Sequence, residues 1–128
     1  MRTGLGLLMF ANAALFFFGA VQHAGVAIGP FYEPRIIPAA IVETICGLSL
    51  LWGGAVVFSH SGSRWRMALI TNLVALGGVL LGIAALAVGA GPRTASNDFY
   101  HRIMLVLIAA SLVIVFCGRR ASTRNSRT

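Results

Sequence analysis

The chain has no lysine and only three acidic residues, Glu33, Glu43 and Asp98. Charged residues make up 10% of its 128 positions, against about 25% in an ordinary soluble domain. That scarcity argues against a soluble globular domain. The 58% hydrophobic content argues equally against disorder. Cysteine is scarce too. Cys46 and Cys117 each fall inside an apolar run, with no CxxC and no metal-ligand spacing, so they read as small buried hydrophobes. No GxGxxG follows a strand pattern and no catalytic motif stands out, so an enzyme acting on its own is not indicated.

What remains is four long apolar runs with the polar residues bunched between them, at a mean hydropathy of +0.87. Residues 5–28, 36–58, 67–88 and 99–117 are each long enough, at about 1.5 Å per residue, to cover or nearly cover a hydrocarbon core of ~30 Å. The first run follows Arg2, and Gly25-Val26-Ala27 looks like a small-residue cleavage site. The run nevertheless exceeds the usual apolar core of a signal peptide, so it reads as a first transmembrane helix. Pro34 and Pro38 open the second run, where a missing N–H costs least. Ser96-Asn97-Asp98 supplies capping chemistry before the fourth. The short connections make neighbours antiparallel. The expectation is an all-α, integral membrane, four-helix antiparallel bundle over residues 1–117. Residues 118–128, with four Arg, read as a basic cytoplasmic tail.

Arginine sets the orientation. Four spans place Arg2, Arg64, Arg66, Arg119, Arg120, Arg124 and Arg127 on one side, and Arg35, Arg93 and Arg102 on the other. Seven against three predicts both termini in the cytoplasm of a plasma-membrane protein. The positive charge then belongs to topology and anionic lipid, not to nucleic acid. Tyr32 and Trp65 stand where interfacial aromatics anchor, and His60 falls in the solvated middle loop.

Ionisable groups inside a membrane are costly and mark candidate sites. Glu43 falls about two turns into the second helix, roughly 10 Å below the outer interface. His23 falls about five residues inside the outer end of the first helix, and His101 in the first turn of the fourth. Gln22, Tyr100, Arg102, Glu33 and Arg35 lie at or above that level, and Asp98 should pair with Arg102 at i,i+4. Asn12, Phe16, Gly19 and His23 are spaced 4, 3 and 4, as are Glu43, Gly47, Leu50 and Gly54, so each set shares one helix face. Gly78 and Gly82 form a GxxxG in the third helix, and with Gly19 and Gly47 they suit close helix packing in lipid. Glu43 and His23 are therefore expected to meet in the interior, and Glu43 is expected to titrate as a coupled unit with His23 or His101.

Three uses fit such a site. It can bind a small molecule or a quinone headgroup, or relay protons. It can be a polar strut in a non-catalytic accessory or oligomerising subunit, with other membrane subunits or further copies of the chain as partners. It can also hold haem or a metal through His23, His101 and Glu43, whose donor types suit zinc, copper or iron, although no HxxxH or ExxH spacing supports this. The residues by themselves assign no cofactor.

The second run reads Ala39-Ala40-Ile41-Val42-Glu43-Thr44-Ile45-Cys46-Gly47, then Leu48-Ser49-Leu50-Leu51-Trp52-Gly53. This pattern resembles the second helix of DoxX-like membrane proteins. Phe17-Phe18-Gly19 followed by Gln22-His23 is similar to that family's first-helix motif, with His23 where a Lys is common. The resemblance spans about residues 10–90. It implies a four-helix membrane bundle, in some members a subunit of a redox enzyme that acts on sulfur compounds with quinone.

Overall fold

The structure, a computed structural model, describes residues 1–29, 33–59 and 62–125. It contains four helices: α1 (Arg2–His23), α2 (Ile37–Phe58), α3 (Arg64–Ala87) and α4 (Ala95–Asn125). All four are long and apolar enough to cross a membrane. Tyr32, His60 and Arg127 lie outside the described residues.

Helix ends are set by local chemistry, and several of them differ from expectation. α1 stops at His23, five residues short of the expected end. Gly25 adopts φ +95°, and its N–H and that of Val26 donate back to the Gln22 and Val21 carbonyls at 2.8 and 3.2 Å. This is a Schellman cap, which an apolar flank cannot override. Gly89 (φ +72°) ends α3 in the same way, with Gly89 and Ala90 donating to Leu86 and Ala85. α2 begins as expected, with Pro38 in its first turn. α4 begins at Ala95, not Phe99. The expected cap Ser96-Asn97-Asp98 lies inside its first turn, and Thr94 is the cap, its Oγ1 accepting from the Asn97 N–H at 3.1 Å. α4 also continues past residue 117 through Asn125. Gly118 does not break it, because it is the small residue over which the Trp65 ring packs.

The helices close into a ring. α1 packs on α2 and α4, and α3 packs on α2 and α4; the contact of α1 with α2 is the most extensive. Phe10 of α1 stacks on Phe58 at the far end of α2, with ring centroids 5.8 Å apart, so these neighbours run antiparallel. Buried positions recur at alternating steps of four and three. They are Leu5, Met9, Asn12, Phe16, Gly19 and His23 on α1, and Asn97, His101, Met104, Ile108, Ser111, Val115 and Gly118 on α4. A 3.5-residue repeat keeps one seam facing inward along the full helix. The opposite faces carry large apolar side chains to the outside, including Trp52 at 64% exposure and Val106 at 66%. Such a surface suits lipid and would aggregate in water.

Candidate functional site

The four inward seams decide which polar groups meet. α1 ends its seam with His23, α2 opens its seam with Glu43, and α4 opens with Asn97 and His101. Antiparallel packing brings these ends to the same level. His23 Nδ1 and Glu43 Oε2 are 2.8 Å apart, with both residues buried. The expected pairing of these two residues is present, but His23 is the last residue of α1 and not five residues inside it. At this distance one proton is shared between carboxyl and imidazole, held on oxygen or on nitrogen.

Glycine is what permits the approach. A Cβ on Gly19 would stand 2.7 Å from Glu43 Oε1 and 2.7 Å from the Tyr100 hydroxyl. Both oxygens therefore press against the α1 backbone, and Tyr100 is brought beside the pair. Gly47 accommodates the Phe17 ring in the α1–α2 contact, Gly78 accommodates Cys46 Sγ, and Gly82 accommodates His101 Nε2. All four glycines expected to serve packing do so against a named side chain.

A cavity of about 390 Å³ opens beside the pair, lined by His23 and Glu43 on one side and by Asn97 and His101 on the other. His101 lies in the second turn of α4, one turn deeper than expected, because the helix starts four residues earlier. Its Nδ1 is 2.9 Å from the Asn97 carbonyl oxygen. A smaller cavity of about 160 Å³ lies on the other side of His23, where Gln22 and Tyr100 join the wall together with Glu33 and Asn97. Arg102 stands apart from both. It is exposed and lines an outer recess with Arg93, Asp98 and His101. Asp98 does not pair with Arg102 but with Arg93, at 2.9 Å. Arg93 lies in the loop just before α4 and folds back over the helix start.

Three residues named from the sequence take roles that it did not assign them. Glu33, 5% exposed, accepts hydrogen bonds from Thr94 Oγ1 at 2.8 Å and from Ser96 Oγ. It ties the first connection to the start of α4, where a carboxylate also suits the helix dipole. Asn97 lines both cavities, and the four–three spacing from Asn97 to His101 and Met104 was the available signal. Deeper in the bundle, Asn12 Nδ2 donates to Ser111 Oγ at 3.3 Å, joining α1 to α4.

His23 and His101 each spend Nδ1 on a neighbour, leaving Nε2 as the ring nitrogen a metal would use. Among the described residues, however, no three His, Cys, Asp or Glu side chains come together as a donor set.

No family model, no curated protein and no solved structure matches the chain.

Proposed function

We propose that this chain is a multi-pass plasma-membrane protein that binds a small molecule in the outer half of its bundle, next to a His23–Glu43 pair able to give or take a proton. The observation carrying this reading is the 2.8 Å contact between His23 and Glu43 at the wall of a cavity of about 390 Å³. That volume lies in the range of small-molecule sites, roughly 300–1,000 Å³. A strut between α1 and α2 needs the contact but has no use for the cavity. The DoxX-like resemblance of α1 and α2 points the same way, with a quinone headgroup as one ligand of suitable size and polarity, and it fits a subunit of a larger membrane complex.

Infrared difference spectroscopy of the purified protein tests the pair. A buried carboxyl sharing a proton with imidazole should lose its band in Glu43→Gln and shift its titration in His23→Ala. A Glu43 band that titrates as an ordinary carboxylate and ignores His23→Ala ends the proposal.

We place both termini in the cytoplasm, on the seven-to-three division of Arg residues. A reporter that is active only outside the cytoplasm, fused after Thr128, should stay silent, and the same reporter placed in the connection between α1 and α2 should be active. Activity after Thr128 would put the cavity on the inner side.

A further inference from the structure

Two buried polar atoms at this site have no hydrogen-bond partner among the described residues, His23 Nε2 and Asn97 Oδ1. His23 is 3% exposed and Asn97 4%, and both residues line both cavities. Unpaired buried polar atoms are uncommon and costly, so each asks for a partner.

The hydrogen-bonding character of each follows from its neighbours. His23 Nδ1 shares a proton with Glu43. A buried net charge is costly, and whenever the pair is neutral overall the second imidazole proton sits on Nε2. His23 Nε2–H is then a donor, whichever atom holds the shared proton. Asn97 Oδ1 is an acceptor. His101 adds a second acceptor: its Nδ1 faces a carbonyl that can only accept, so Nδ1 carries the hydrogen and the Nε2 of the neutral ring is left with a lone pair. The rest of the larger cavity is mainly apolar, with Ile36, Val42, Leu81 and Leu86 in its wall, and among the described residues no Arg or Asp lines it.

We infer that this cavity takes an uncharged, mostly apolar molecule bearing a hydroxyl, an alcohol or phenol, which bridges the two unpaired atoms. Its oxygen accepts from His23 Nε2–H and its O–H donates to Asn97 Oδ1. A single hydroxyl seated between them would satisfy both atoms. An ether or ketone satisfies only the donor, and a carboxylate brings a charge that no cation in the wall balances. The inference rests on reading the pair and cavity as a ligand site.

The test uses the full-length protein in detergent micelles and three probes of one shape: 2-naphthol, 2-methoxynaphthalene and 2-methylnaphthalene. Wild type should bind 2-naphthol about tenfold more tightly than the methoxy compound and more tightly still than the methyl compound, about the worth of one hydrogen bond per step. Asn97→Leu should weaken 2-naphthol about tenfold and leave 2-methylnaphthalene unchanged. If that variant does not fold, the probe series on wild type decides alone. Equal affinity for the three probes, or no binding of any, overturns the inference. If the infrared signature of the coupled pair persists in that case, the proposed function stands, and if it is absent too, both fall.

Discussion

Glu43→Ala should destabilise the protein by about 3–5 kcal/mol, the range seen when one partner of a buried pair is removed. Alanine leaves His23 with both ring nitrogens unpartnered inside the bundle, since Nε2 already lacks a bond among the described residues. Glu43→Gln should cost much less, about 1 kcal/mol, because its amide oxygen can accept from Nδ1–H. The glutamine variant is therefore the one in which to ask about function, being folded but unable to share a proton. Unfolding curves in detergent for both variants, side by side, check this. If Ala and Gln cost the same, the 2.8 Å contact contributes little to stability and Glu43 must be held by other groups.

Gly19→Val should be nearly as severe and should act through the site. Its Cβ would stand 2.7 Å from Glu43 Oε1 and the Tyr100 hydroxyl, and 3.0 Å from Glu43 Cδ. Either α1 moves away from α2 and α4 or the carboxylate leaves His23. Overpacking of this kind costs about 1–3 kcal/mol, and the displaced carboxylate should also lose its hydrogen bond to His23. Gly77→Ala is the matched control. Nothing lies within 4 Å of a Cβ there, and replacing an exposed mid-helix glycine should gain up to about 1 kcal/mol. Equal stability of the two variants would mean that α1 does not approach this closely.

The meeting of His23 and Glu43 was legible because it depends only on helical phase. The four–three spacing of Asn12, Phe16, Gly19 and His23 fixes one face, and that of Glu43, Gly47, Leu50 and Gly54 fixes the other. The ends of the elements were less legible. Val26 and Ile28 read as a continuing span, but the positive φ of Gly25 closes α1 before them. At α4, Thr94, Ser96, Asn97 and Asp98 are all capping residue types, and local sequence does not choose among them. The choice falls on Thr94, whose hydroxyl both accepts from the Asn97 N–H and donates to Glu33, 61 positions earlier in the chain. That same shift by one turn carried His101 deeper and gave Asp98 to Arg93. The level of Glu33 puts it near the site, but nothing within reach in the sequence shows that two hydroxyls will cover it.

The tie between Glu33 and Thr94 also bears on biogenesis. The His23–Glu43 contact joins residues 20 apart, so the first helical hairpin can make it as soon as α2 has emerged. The bonds from Thr94 and Ser96 to Glu33, and from Asn12 to Ser111, wait for α4. Because chains fold from the N-terminus during synthesis, a nascent chain stopped after α3 would hold the paired acid and base but lack the Asn97 and His101 wall. The pocket is thus closed only when α4 packs against α1, later than the acid–base pair it surrounds.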